Sequence, residues 1–245
     1  MEVNYGCGDG ESTIFRRIKH EAKDGRPTIN YRIQLIDESL FDEALLFMGQ
    51  HFLANENITS CIGVLGDKEA TEEAHDIWRK YLSKKVSLGA FLVDDKGNRG
   101  PMISCNVLDV SQNGEEEPVS MDSFRTEKWR KIFKTLAAVE EQVSVFWKFE
   151  CQAYVHAVGL VVAPEFERRG IGFEMLGARE DVCRFTKTQV SATVFTGEAS
   201  QRLALRHGWQ VLSELDITTF TIDGQIVYSN PRSPVIKLMA KRYFH

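Results

Sequence analysis

One stretch constrains this chain more than any other: Leu160-Val161-Val162-Ala163-Pro164-Glu165-Phe166-Glu167-Arg168-Arg169-Gly170-Ile171-Gly172. The valine-rich run Tyr154 to Val162 reads as a central strand, and an apolar helical pattern follows from about Ile171 to Phe185. Between them stand a proline, two arginines and two glycines. A strand feeding a helix in this way calls for a sheet with helices packed on it. The join also suits an anion. The first amides of a helix have no intrahelical acceptors, and the helix dipole favours negative charge there. Gly170 and Gly172 permit close approach to the backbone, and Arg168 and Arg169 add charge from the side. The plainer alternative is a strand-to-helix turn with solvated arginines. The three-glycine dinucleotide fingerprint is missing, and so is the Gly-Lys-Ser/Thr of a P-loop.

The remaining pattern alternates strands and helices. Met1 to Thr28, with Gly6, Gly8, Gly10 and a cluster of charges, reads as a loosely packed leader. A strand is expected over Ile29 to Ile36, with Tyr31, Ile33 and Leu35 on one face, then a helix capped by Asp37 and carrying Leu40, Phe41, Ala44, Leu45, Phe47 and Met48. Lys68 to Lys84 and Phe124 to Val143 read as helices, and Val86 to Val93 and Pro101 to Val110 as strands joined by the hairpin turn Asp94 to Asn98. Asn113 to Pro118 is an acidic loop. Strands over Gln189 to Phe195 and Trp209 to Leu215 flank a helix over Gln201 to His207, and Ile217 to Ile222 and Ile236 to Met239 are further strand candidates. No repeat and no boundary linker interrupts this alternation. The expectation is one α/β domain of mixed, partly α+β character over residues 29–245, because the early hairpin argues against a wholly parallel sheet.

Composition narrows the function. Of 245 residues, 43% are hydrophobic and 27% charged, an ordinary globular balance. The net charge is −5, without the basic excess of a nucleic-acid binder. The five cysteines are scattered with no CxxC pair, and no histidine pair has metal-ligand spacing with a third ligand, so neither a disulfide framework nor a metal is expected. The N-terminus is polar, and the longest apolar run, Ala157 to Pro164, is far shorter than the ~20 residues of a membrane span. A cytoplasmic protein with no nucleic-acid or membrane partner, a monomer or weak dimer, is the expectation.

The Val-rich strand followed by Gly170-Ile171-Gly172 resembles motif A of the GNAT superfamily of N-acetyltransferases, Arg/Gln-x-x-Gly-x-Gly/Ala, with Glu167 in place of the first Arg or Gln. The segment Phe195-Thr196-Gly197-Glu198-Ala199-Ser200-Gln201-Arg202-Leu203-Ala204, with His207-Gly208-Trp209, is similar to the Ser-Gln-x-x-Ala…Gly-Phe segment of insect-type arylalkylamine N-acetyltransferases. The tail Asp223-Gly224-Gln225 and Val235-Ile236-Lys237-Leu238-Met239 is similar to their Asp-Gly-Lys and Leu-Lys-Val-Met endings, and the turn Phe52 to Ile58 resembles their Phe-Phe-x-x-Glu-Pro-Leu turn, with Glu56 at the acidic position and Asn57 in place of the proline. The resemblance covers about Tyr31 to Ala240. It implies the GNAT fold, a central mixed twisted sheet flanked by helices with splayed central strands at the coenzyme A site. It also implies an acetyltransferase that uses acetyl-CoA and no metal. The co-substrate would be held by Leu160, Val161, Val162, Glu167, Arg168, Arg169, Gly170, Ile171, Gly172 and Ser200. Gly159 is a candidate bulge.

Acyl transfer to an amine requires that the ammonium lose a proton, that the carbonyl oxygen be stabilised, and that the thiolate be helped away. By the resemblance Glu56 is the base, against the plainer alternative of a solvated loop carboxylate. A strand amide, at Val161 or Val162, is the oxyanion donor. Ser200 and Thr196 match serines of the resembling enzymes and are candidates for assisting the leaving group, although Ser200 equally suits a helix cap. His156 suits a proton relay or a structural hydrogen bond. Glu69, Glu72 and Glu73 read as a solvated helix face. Phe52, Phe146, Trp147, Phe149, Tyr154 and Trp209 are candidates for an aromatic amine pocket.

Three functions are in play. The first is acetylation of a primary arylalkylamine of the dopamine, serotonin, tryptamine or tyramine type, by direct attack in a ternary complex. The second keeps the fold but takes agmatine or a polyamine, or a longer acyl-CoA. The third is a non-catalytic acyl-CoA-binding protein, motivated by Glu167 and Asn57.

Overall fold

A computed structural model describes residues 13–22, 25–114 and 120–244. Half of the leader, including Cys7, and most of the acidic loop lie outside the described residues, as does His245. The strands are β1 (Ile14–His20), β2 (Ile29–Leu35), β3 (Leu88–Val93), β4 (Arg99–Gln112), β5 (Ala153–Val162), β6 (Val190–Phe195), β7 (Gln210–Asp216), β8 (Thr221–Ile222), β9 (Gln225–Ile226) and β10 (Val235–Arg242). The helices are α1 (Phe41–Asn55), α2 (Asn57–Cys61), α3 (Lys68–Leu82), α4 (Glu127–Glu140), α5 (Val145–Phe149), α6 (Ile171–Gly177), α7 (Arg179–Thr186) and α8 (Glu198–Arg206).

Eight strands form one twisted sheet in the order β1-β2-β3-β4-β5-β6-β10-β7. Its pairs are antiparallel except for β5 with β6, which run parallel. Helices α1, α3 and α4 bury their apolar stripes on one face, around Ala44, Met48, Trp78 and Ile132. Helices α6 and α7 cover the other through Ile171, Met175, Ala178 and Val182. β8 and β9 form a separate hairpin. Its turn, Asp223-Gly224, has positive φ at both residues, as a two-residue turn between twisted strands requires.

Several expectations shift. The described part of the leader holds β1, which pairs with β2 and buries Phe15. The alternation around Ile14 and Phe15 is too short to signal a strand on its own, and the pairing is supplied by β2. The helix expected over 171–185 is two, meeting at Ala178. The helix expected from Phe124 begins at Glu127, since the buried Glu73 carboxylate accepts from the amides of Arg125 (2.5 Å) and Thr126 (2.8 Å) and bends the chain onto α3. Glu73 is therefore an internal cap, where a solvated position was expected. Of Ile217 to Ile222, Ile217 is a core residue and only Thr221 and Ile222 are strand.

Candidate active site

β5 is the strand on which the site is built. Against β4 its ladder carries a bulge. Val107 faces Gly159 and Leu108 faces Ala157, so Val158 is left over. Gly159 has φ +156°, and a Cβ there would stand 2.7 Å from Met48 Cε and 3.1 Å from Phe52 Cε2, so a larger residue would be strained and would push on both side chains. Against β6, β5 pairs only at Val155 with Ser191; beyond that point the strands part. The opening is the inner end of a cleft of about 1970 Å³ that runs through the sheet.

On the α6 face the cleft is closed by the loop 163–170. Gly170 is the residue before α6 and has φ +77°, the left-handed region, with open space where a Cβ would stand. The amides of Ile171, Gly172 and Phe173 meet no acceptor among the described residues. They are free for an anion, and the dipole of α6 adds to its attraction. Arg168 is exposed beside them, as is Glu167. Arg169 is turned inward. It is 8% exposed, its Nη1 donates to Pro27 O (2.8 Å), and its Nε is buried with no partner. Arg26 Nη1 donates in return to Glu167 O (2.6 Å), so residues 26–27 and the loop clasp each other. The unpaired amides, the open Gly170 and the orphaned Arg169 Nε together suit a diphosphate.

Across the sheet, Glu56 stands in the turn between α1 and α2. Its Oε1 accepts from Ile58 N (3.1 Å) and Thr196 Oγ1 (2.5 Å), and its Oε2 from Thr59 N (2.7 Å). A carboxylate has about four lone-pair sites. Three are taken, and one, on Oε2, is left for a water or an ammonium. The carboxylate is thus the N-cap of α2 as well as a cleft residue. The turn is fixed from two further sides. Asn57 is buried, its Nδ2 donates to Thr196 O and Ser233 O (2.9 Å each), and its Oδ1 accepts from Ser233 N (3.0 Å). Arg232 Nη2 donates to Ala54 O (3.0 Å) and Nη1 to Asn55 O (3.2 Å), the last carbonyls of α1. Sequence reasoning did not single out Ser233 or Arg232, and neither lies in a motif.

The structure brings Glu56 and Thr196 into contact and sets both in one cleft with Ser200 and the 160–172 segment. Ser200 is inside the first turn of α8 and does not cap it. The helix starts after Gly197, and Ser200 Oγ donates back to Gly197 O (2.7 Å). Among the aromatic candidates, Phe52, Phe146 and Tyr154 line the cleft, joined by Trp129 and Phe133. Trp147 is 86% exposed, and Phe149 and Trp209 are core residues outside the cleft lining. His156 lines the cleft with its Nδ1 2.9 Å from Ser111 Oγ. Cys183 is buried, which pushes its thiol up to about 11, and Cys105 and Cys151 shift the same way for the same reason. Such thiols are poor nucleophiles. Among the described residues no cluster of three or more His, Cys, Asp or Glu is placed to hold a metal ion, and no helix is long and apolar enough to cross a membrane.

No family model matches the chain, and no curated protein does. Solved structures do. A putative arylalkylamine N-acetyltransferase 7 from the yellow fever mosquito Aedes aegypti is 26% identical over 95% of this chain and 96% of its own, with a TM-score of 0.85. Arylalkylamine N-acetyltransferase 2 of Aedes aegypti is 19% identical over 87% of this chain and 99% of its own, with a TM-score of 0.78. A Drosophila melanogaster polyamine N-acetyltransferase that forms N-acetylagmatine is 19% identical over 86% and 99%, with a TM-score of 0.74. At 19% identity the last two speak for the fold alone.

Proposed function

We propose that this chain, a GNAT-fold acyltransferase dependent on acetyl-CoA, acetylates a primary arylalkylamine by direct attack in a ternary complex. The observation that carries this reading is the position of Glu56. A carboxylate with one lone-pair site free lies in the same cleft as the parted edge of β5 and the unpaired amides of α6, beside the aromatic wall of Phe52, Phe133, Phe146 and Tyr154. The chain's residues divide the work accordingly. The amides of α6 and Arg168 hold the diphosphate of the donor. The edge of β5 at Val161 and Val162 takes the pantetheine arm and offers an amide to the carbonyl oxygen as it becomes an oxyanion. Glu56, oriented by Thr196, takes the ammonium proton directly or through water. The free amine then attacks the thioester carbon, the C–S bond breaks, and sulfur leaves as the thiolate, to which the Ser200 hydroxyl in the same cleft donates by turning from Gly197 O. The amine's second proton leaves with solvent. The four described cysteines are free thiols, which suits a reducing cytosol.

A second reading, agmatine or a polyamine as acceptor, has its own observation. Glu140 and Glu141 line the cleft and offer negative charge to the distal cation of such a substrate. One assay decides. Thiol release from acetyl-CoA is followed with dopamine, serotonin, tryptamine, tyramine, agmatine and spermidine. Highest kcat/KM for an arylalkylamine is expected. Preference for agmatine or spermidine would move the assignment to the second reading, and coenzyme A binding with no turnover of any amine would refute both.

A further inference from the structure

Near the point where β5 and β6 part, one guanidinium bonds side chains of both β4 and β6. Arg179, the first residue of α7, is 1% exposed and lines the cleft. Among the described residues no carboxylate pairs with it. Its Nε donates to Asn106 Oδ1 (3.0 Å) and its Nη1 to Thr193 Oγ1 (2.8 Å), and its Cζ lies 5.5 Å from the Trp209 ring and 5.9 Å from the Phe195 ring. Burying an arginine without a counter-ion is expensive, and an apolar side chain of similar volume would fill the same space at less cost. Burial pulls Arg179 down to about 10, so it remains a cation at neutral pH.

The two groups it holds are the ones that shape the fork. Asn106, oriented by Arg179 through Oδ1, donates from Nδ2 to Gly159 O (2.8 Å), the carbonyl of the bulge. Thr193, oriented through the same guanidinium, accepts from Ala157 N (3.1 Å). Ala157 is two residues past the one strand pair that β5 makes with β6. There the β5 amide is taken by a side chain of β6, so the backbones are held apart by the length of that side chain. A single buried cation therefore ties the bulge on one side of β5 to the splay on the other.

We propose that Arg179 is the positioning residue of this fork, a buried cation that through Asn106 and Thr193 keeps β5 and β6 parted so that the β5 edge stays open to the pantetheine arm of the acyl donor. The proposal rests on the acetyl-CoA reading above. It separates the two parts of the donor. The nucleotide end is held by the α6 loop, which Arg179 does not touch, whereas the arm needs the open fork.

The test is isothermal calorimetry with two probes, coenzyme A and adenosine 3′-phosphate 5′-diphosphate, which is coenzyme A without its arm. Arg179→Met keeps an unbranched, though shorter, side chain and loses every donor. Thr193→Val keeps the shape of Thr193 and removes the oxygen that Ala157 N and Arg179 share. Each variant is expected to weaken coenzyme A at least tenfold while leaving the armless nucleotide within twofold of wild type. If Arg179→Met does not fold, Thr193→Val decides alone. Unchanged coenzyme A affinity in a folded variant overturns the proposal, and equal loss of both probes overturns it too, since Arg179 would then be a residue of the fold at large. Wild-type protein that binds neither probe would instead refute the acetyl-CoA reading itself.

Discussion

Replacing Glu56 with glutamine separates its two jobs, because they have different sizes and different readouts. The carboxylate satisfies Ile58 N and Thr196 Oγ1 with one oxygen and Thr59 N with the other. Glutamine has one acceptor oxygen. With that oxygen at either position, an amide of α2 faces the new NH2 group and loses its bond, while the Thr196 hydroxyl can turn to suit. One lost capping bond costs about 1 kcal/mol, which for a chain of this size is a fall in Tm of about 2–4 °C. Losing the proton acceptor costs far more in rate, roughly 10²–10⁴, and a hundredfold is about 2.7 kcal/mol of barrier. The expected variant is folded, melts a few degrees lower, binds acetyl-CoA as wild type does, and has kcat/KM for the amine lowered a hundredfold or more. The measurements are a thermal melt, calorimetric titration with acetyl-CoA, and the pH–rate profile with the best amine of the panel. An acidic limb that weakens or moves accompanies loss of the base. A variant with the lowered Tm, near-normal kcat/KM and an unaltered pH profile would show that Glu56 only caps α2 and that another group takes the proton.

Three further outcomes follow from the geometry. Gly170→Val places a β-branched residue at φ +77°, at a cost of about 1–3 kcal/mol, and the loop can relieve that strain only by moving its amides; KM for acetyl-CoA should rise at least tenfold in a folded protein, and an unchanged KM would remove the loop from the site. Ser200→Ala breaks only the bond to Gly197 O, so a Tm within a degree or two and a kcat lowered on the order of tenfold are expected if its hydroxyl assists the leaving thiolate; a normal kcat would leave Ser200 a local helix residue, and Thr196→Val run beside it tests whether the two hydroxyls act together. His207 stacks on Phe173 at 3.7 Å and donates from Nε2 to its carbonyl, and burial holds its pKa below the ordinary value. Such a histidine contributes stability above about pH 6.5 and loses it as the pH falls, because the unfolded chain takes up the proton first. Wild-type Tm should therefore drop more steeply than that of His207→Phe between about pH 7 and about pH 5, and parallel slopes would show that His207 protonates freely in the fold.

What the sequence made legible is what local physics decides. A valine-rich run, a proline exit and a Gly-x-Gly before an apolar helix identify β5, its loop and α6, because strand burial, chain exit and free amides depend on neighbours in sequence. Glu56 and Thr196 were legible only by resemblance; nothing in either segment announces the 2.5 Å contact across 140 positions. Arg179 shows the limit most clearly. On a helical pattern it reads as one more charge for the solvent face, beside Glu180 and Asp181. Its burial is decided by Asn106, 73 positions away, and by the two aromatic rings below it. Glu73 shows the same limit, since its partners, Arg125 and Thr126, lie in the turn before another helix.

Asn57 sharpens the point. Measured against the resembling turn it is a departure, a proline replaced by a polar residue, and so a motive for doubting catalysis. In the fold it does by hydrogen bonding what a proline does by covalent restraint. Proline limits the turn by fixing one φ. Asn57 limits it by three hydrogen bonds that join the Glu56 turn to the end of β6 at Thr196 and to the 233 loop. The second solution couples more of the site, because Thr196, which orients Glu56 through its hydroxyl, is also held through its carbonyl by the residue next to Glu56. A change at Ser233, which touches neither the cleft's base nor its hydroxyl, is thereby transmitted to both.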